Sequence, residues 1–432
     1  MTTYMDRHSL FTLIIAAGIL AAAAPAGAQD RDVIAGIPVN YDESKTGDYK
    51  VGLPDPLTFN NGKKVTSAKQ WPKRRAEILK ILRENQYGKW MAKKPKLRYD
   101  LTEDTGLDGM AVRKQVTIYF TGDNEGPRVD VLVYLPKDAN GPVPTLLNLS
   151  FSPNNMTVND PGVKAGRRWD TKTGTMVEAS TGGFGGFRFG MDETVKMYLK
   201  EGFGFATLCY TDITPDFQDN AKLGVRGLYK DPGEDGWGSI SCWAWGVSNV
   251  MDYFEKDPDI DATRIALTGC SRLGKTTIWT GAMEPRIKVV MPSCSGEGGA
   301  AISRRVYGET VAHLTEASRF PYQFAANYGK WADDMEHMPM DAHMVVALIA
   351  PRPLLLQTGS TDNWSDPKGE WLAAIEASPV YELLGKDALS GYEMPGADQP
   401  IYNTLGYVMH EGGHGTMPAD WTYYLEFMKK YL

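Results

Sequence analysis

Apolar positions along this chain fall into two rhythms. Residues 115–120 and 129–134 alternate or carry β-branched side chains, while 145–149 and 203–209 are short apolar runs, the pattern of strands within a buried sheet. Similar runs recur at 264–268, 288–292 and 353–357. Helical spacing predicts helices over 67–86, 239–254, 276–283, 369–384 and 419–431. In the first of these Ser67 is a suitable N-cap, and Ile78, Leu79, Ile81 and Leu82 form an apolar stripe. Strands alternating with helices on this scale predict a mostly parallel central sheet with helices on both faces, a three-layer α/β sandwich. The strand-rich pattern opens near 111 and runs to 432. Residues 29–110 read as loops plus one helix, an N-terminal segment packed on that core.

The start of the chain is a different kind of sequence. Arg7 and His8 precede an apolar stretch over 10–24, which ends in Pro25-Ala26-Gly27-Ala28. A basic start, a short apolar region and small residues before a cleavage point predict a secretory signal peptide over 1–28. No later stretch is apolar for the ~20 residues a membrane span needs, so no membrane attachment is expected after cleavage, and the protein should be secreted or periplasmic. Net charge is −7 with no long basic run, which argues against a nucleic-acid partner. The four cysteines, 209, 242, 270 and 294, include no C-x-x-C pair; buried thiols are the default reading, and three disulfide pairings stay open.

Chemistry concentrates in Gly269-Cys270-Ser271-Arg272-Leu273-Gly274-Lys275, which follows the run at 264–268 and precedes the helix at 276–283. A serine on a strand-to-helix turn between small residues reads as the nucleophile elbow of an α/β-hydrolase. The turn lifts the hydroxyl clear of the sheet, and the helix start aims N–H groups at a developing oxyanion. The usual G-x-S-x-G is altered, because Leu273 holds the second glycine position and Gly274 comes one residue later. Hydrolases of this kind supply an acid and then a histidine after the serine. The histidine belongs in the loop after the last strand, which leaves His410 and His414; the glycines around His414 favour it. Asp362 stands in the G-x-x-D loop that follows 353–357, where the acid is expected. His410-Glu411-Gly412-Gly413-His414 also matches the zinc motif H-E-x-x-H, but that motif requires a helix, and two adjacent glycines cost roughly 2 kcal/mol of helix propensity. No metal is expected. The glycine-rich 181–187 reads as a loop over the site.

G-C-S-R-L-G-K resembles the G-C-S-R-x-G-K signature of the glucuronoyl esterases, carbohydrate esterase family 15. The resemblance covers most of the chain after residue 110, and the N-terminal segment is similar to that of bacterial members. It implies an α/β-hydrolase fold, a serine esterase needing no cofactor, and roles for particular residues. Arg272 would help hold the oxyanion. Lys275, Glu309 and Trp364 would bind the glucuronate ring. In the family the acid can instead be a Glu shortly before S-G-x-G-G; here Cys294 occupies that place. Asp362 is therefore the expected acid, with Glu297 the second choice. The implied substrate is the ester between (4-O-methyl-)glucuronic acid of xylan and a lignin alcohol, handled by a monomer. Two rival readings are an acetyl-xylan or feruloyl esterase on the same fold and a non-catalytic carbohydrate-binding protein of hydrolase shape; the latter requires a broken triad.

Overall fold

Nine strands build one sheet: β1 (Arg98–Gly106), β2 (Ala111–Tyr119), β3 (Arg128–Pro136), β4 (Val143–Ser150), β5 (Gly204–Cys209), β6 (Ile260–Cys270), β7 (Ile287–Ser293), β8 (Leu354–Gly359) and β9 (Leu405–His410). The computed structural model describes residues 32–91, 95–179, 190–230, 233 and 235–432. The segment 1–28, expected to be a signal peptide, and the glycine-rich 181–187 lie outside the described residues. The strand order is β9-β8-β7-β6-β4-β5-β3-β2-β1. Strands β4 to β9 are parallel, and β1 to β3 add an antiparallel edge.

The parallel strands are continuous apolar runs because successive side chains face opposite sides of the sheet and both sides are covered. On β6, Ile265 and Leu267 enter one core and Ala266 the other; on β8, Leu354 and Leu356 oppose Leu355 in the same way. One core is closed by α1 (Trp71–Asn85), α3 (Ser239–Phe254), α4 (Arg272–Met283), α5 (Val311–Thr315), α6 (Ala342–Ala347) and α7 (Pro367–Leu383). The other is closed by α2 (Asp192–Lys200) and α8 (Pro418–Tyr431). This is the three-layer arrangement expected of an α/β-hydrolase.

Strand β1 has no counterpart in the apolar pattern. Its middle residues, Leu101 to Thr105, are exposed. An edge strand covered on few sides needs no apolar run, so periodicity does not mark it. The sheet therefore begins at Arg98, ahead of residue 111. The N-terminal segment is joined to α4, the helix that starts at the elbow. Tyr87 stacks on Trp279 with ring centroids 4.2 Å apart, Trp279 Nε1 donates to Ser241 Oγ at 2.8 Å, and Ser241 Oγ donates to the Tyr87 carbonyl at 2.7 Å.

Candidate active site

The loops at the carboxyl ends of β6, β7, β8 and β9 meet at one place. Ser271, between β6 and α4, has φ 61° and ψ −124°, a conformation costly for a residue with a Cβ. The turn is held from both sides: Ser271 N–H donates to the Ser293 carbonyl at 2.8 Å, and its own carbonyl accepts from Lys275 N–H at 3.0 Å. The altered glycine spacing has a steric reason. A Cβ on Gly274 would stand 2.4 Å from the Ser293 carbonyl oxygen, and one on Gly269 would stand 2.9 Å from Leu273 Cβ. Leu273 itself is fully buried in the core. Close approach of α4 to β7 thus demands a glycine at 274, and position 273 is free to anchor the helix.

His414 Nδ1 lies 2.7 Å from Asp362 Oδ2. Asp362 is fully buried, and its Oδ1 accepts from Ser365 N–H at 3.3 Å. Burial disfavours charge on both groups, yet their mutual hydrogen bond and attraction prevail: the Asp362 carboxyl is held below its ordinary range and the His414 imidazolium is raised above its own. The two loops are stitched together by backbone. Ser360 N–H donates to the His410 carbonyl at 2.9 Å and Thr361 N–H to the Gly412 carbonyl at 2.8 Å, while Gly412 N–H donates to Ser360 Oγ at 3.1 Å.

Asp362, not Glu297, is the carboxylate bonded to His414. Glu297 is buried elsewhere, where it accepts from Ser303 Oγ at 2.6 Å and Tyr328 OH at 2.8 Å, and burial pushes its carboxyl up to about 8. Cys294 packs beneath the histidine loop, with its Sγ 3.3 Å from the Gly415 carbonyl oxygen and 3.4 Å from Gly415 N. All four cysteines are free thiols. Behind Cys294, Glu370 of α7 accepts from Ser295 Oγ at 3.0 Å and Gly296 N–H at 2.6 Å, and burial raises its carboxyl to about 8.

Lys275, Glu309 and Trp364 are distant in sequence and come together here. Lys275 Nζ is 3.6 Å from Glu309 Oε2, and Glu309 N–H donates to the Trp364 carbonyl at 2.9 Å. Gly308 makes this contact possible: it has φ +61°, and a Cβ there would lie 2.4 Å from the Asn363 carbonyl oxygen. Arg319 completes the cluster. It pairs with Glu309 at 2.7 Å and stands 5.4 Å over the Trp364 ring and 4.9 Å over Phe320. Arg272 lies 4.8 Å over the same Phe320 and is ion-paired with Asp216. That carboxylate is itself held by Tyr322 OH at 2.9 Å and Gln323 Nε2 at 2.8 Å. Arg319, Asp216 and Phe320 carry no local sequence signal; only the packing of distant loops reveals them.

The H-E-x-x-H stretch runs from the last residue of β9 into bends, not a helix, so its two imidazoles do not share a helical face. Among the described residues, one group of possible metal-ligating atoms lies together, from Cys294, Asp362 and His414, all within 4.8 Å. Two of the three are already joined by their own hydrogen bond.

Comparison with known proteins shows which family the chain resembles. A family model described as fungal glucuronyl esterase matches residues 189–385. The solved glucuronoyl esterase from Solibacter usitatus is 42% identical and superposes with a TM-score of 0.82, covering 89% of this chain and 99% of that one. Carbohydrate esterase MZ0003, from an unknown prokaryotic organism, is 39% identical across 90% of this chain and 91% of its own length. A 4-O-methyl-glucuronoyl methylesterase of Schizophyllum commune is 26% identical across 88% of this chain and 85% of its own. The chain belongs to the glucuronoyl esterases, carbohydrate esterase family 15.

Proposed function

We propose that this protein is an exported serine esterase that cleaves the ester between a (4-O-methyl-)glucuronic acid carboxyl of xylan and a lignin alcohol. The observation that carries the reading is the hydrogen-bonded Asp362–His414 pair, which shares one set of loops with a strained serine and with the Lys275–Glu309–Arg319–Trp364 cluster. Cations, a carboxylate and an aromatic face side by side suit a sugar ring bearing hydroxyls and an acid-derived carbonyl.

In this mechanism Asp362 accepts from His414 Nδ1–H, which leaves Nε2 as the basic nitrogen. Nε2 takes the Ser271 proton as Oγ bonds to the carbonyl carbon. The carbonyl oxygen becomes an oxyanion, stabilised by the backbone N–H groups at the start of α4 and by Arg272, each donor contributing about 3–4 kcal/mol in related sites. Collapse of this intermediate breaks the bond to the alcohol oxygen, which takes the proton from Nε2–H and leaves. Water then attacks the glucuronoyl–Ser271 ester; His414 again accepts the proton and returns it to Ser271 as glucuronate departs.

The deciding assay compares benzyl glucuronate with acetylated xylan on one purified preparation. Hydrolysis of the glucuronate ester, lost in Ser271→Ala, is the expected result. Preference for acetylated xylan would replace this reading with an acetyl-xylan esterase. Export is tested by the mature N-terminus, expected at Gln29.

A further inference from the structure

His410, the other histidine of the H-E-x-x-H stretch, is also buried and fully engaged. It is 1% exposed, and its Nε2 lies 2.9 Å from the carbonyl oxygen of Gly413, the residue before His414. Only an N–H can partner a carbonyl, so Nε2 carries a hydrogen. The other side of the ring secures this. Nδ1 faces Gln357 Nε2 at 2.9 Å and Asp420 Oδ2 at 2.9 Å. Gln357 Oε1 accepts from Tyr424 OH at 3.0 Å, which turns the amide's NH₂ toward Nδ1. If Nδ1 accepts from Gln357 the ring is the Nε2–H tautomer; if it donates to Asp420 the ring is an imidazolium. Nε2 keeps its hydrogen in both states.

We infer that His410 is a positioning residue for the esterase reaction: its Nε2–H holds the Gly413 carbonyl and thereby sets the turn that presents His414 to Ser271. The turn needs such a tie. Gly412 and Gly415 have φ of 133° and 141°, so the base sits on a segment with unusually high conformational entropy in its unconstrained state. The Gly413 carbonyl is also pressed against β8, where a Cβ on Gly359 would stand 2.2 Å from it. His410 closes the remaining side. Asp420 belongs to α8, so the last helix of the fold is connected through one imidazole to the loop of the base.

The inference rests on His414 acting as the base, and the experiment separates the two. His410→Ala, His410→Asn and His410→Gln are compared with wild type and His414→Ala on benzyl glucuronate, with sites counted by fluorophosphonate titration where the serine reacts. A Gln amide can place its nitrogen near His Nε2 and reach Gly413, whereas Asn and Ala cannot. His410→Asn and His410→Ala should lower kcat about tenfold or more with KM little changed, as misplaced catalytic groups do. The low-field proton NMR signal of the His414–Asp362 hydrogen bond should broaden or vanish in both, and His410→Gln should restore rate and signal together. Should His410→Ala fail to fold, the Asn–Gln pair still decides. Equal kcat in wild type, His410→Asn and His410→Gln, or losses that follow Tm while the low-field signal persists, would overturn the inference. Activity surviving in His414→Ala would instead overturn the assignment of the base.

Discussion

Ser271, His414 and Lys275 can be perturbed one at a time with different consequences. Ser271→Ala removes the attacking oxygen and leaves the backbone turn in place, because both hydrogen bonds that hold the turn use main-chain atoms. Esterase activity should fall to background while circular dichroism and Tm stay near wild type. Lys275→Ala acts on the sugar side. Lys275 stands one helical turn beyond the serine on the same face of α4 and meets Glu309 rather than Asp362. KM for glucuronate esters should rise on the order of tenfold or more, the size expected for one hydrogen bond to a charged group at about 1.5–3 kcal/mol, with little change for a small activated acetate ester. An equal loss on both substrates would place Lys275 in the oxyanion site or the framework instead of the sugar pocket.

The elements matter because acid and base stand on adjoining strands, β8 and β9, whose loops are tied by three hydrogen bonds. Asp362 raises the pKa of His414 against the effect of burial. A base must be unprotonated, so the acidic limb of kcat/KM should lie above the ordinary imidazole value of about 6.5. In Asp362→Asn the limb should move to lower pH, and kcat should drop on the order of 10⁴-fold, as in other serine triads. The same pair carries a stability term with a defined window. The lowered Asp362 pKa contributes above the free carboxylate value of about 4, and that contribution is lost as pH falls through the carboxyl's lowered folded value. The raised His414 pKa contributes fully below the free imidazole value, and its contribution is lost as pH rises through the raised one. Denaturant titrations of wild type and Asp362→Asn should differ most between those limits. Gly274→Ala tests the elbow geometry: the added Cβ meets the Ser293 carbonyl, so α4 must shift, and kcat should fall at least about tenfold.

At the scale of the molecule, the N-terminal segment is fastened to the hydrolase core by two buried arginines and a buried histidine. Arg304 pairs with Asp341 at 3.0 Å and also donates to the carbonyls of Met338 at 2.6 Å and Gly52 at 3.0 Å. His343 Nε2 donates to the Pro54 carbonyl at 2.7 Å, and Arg305 joins Glu43 to Asp366. Arg304→Ala would leave Asp341 buried without its counter-charge, a change worth about 3–5 kcal/mol. Tm should fall by several degrees, and protease should reach the segment around Gly52 first. Arg305 also stacks on Tyr307, whose hydroxyl donates to Asn363 Oδ1 at 3.2 Å next to Trp364. Loosening this segment should therefore raise KM before it lowers kcat.

By itself, the order of residues determined the layered α/β architecture, because period-2 apolar runs and helical stripes are local consequences of backbone geometry. It determined the place of the serine as well, since a turn this tight leaves its mark in the adjacent small residues. The candidates for acid and base were legible from chain order, and loop position and the neighbouring glycines favoured Asp362 and His414, but the hydrogen bond that joins them was not. Asp362 and Glu297 are both buried carboxyls near strand ends, and only the stitching of the β8 and β9 loops shows which one reaches His414. Edge strand β1 was silent because a solvated face imposes no apolar rhythm. Arg319, Asp216 and the connection from Asp420 through His410 to Gly413 were silent for a related reason. Asp216 meets Arg272 across 56 residues of chain, while the ties of Arg319 to Glu309 and of His410 to Gly413 and Asp420 are short in sequence but depend on loop conformations that no residue pattern encodes.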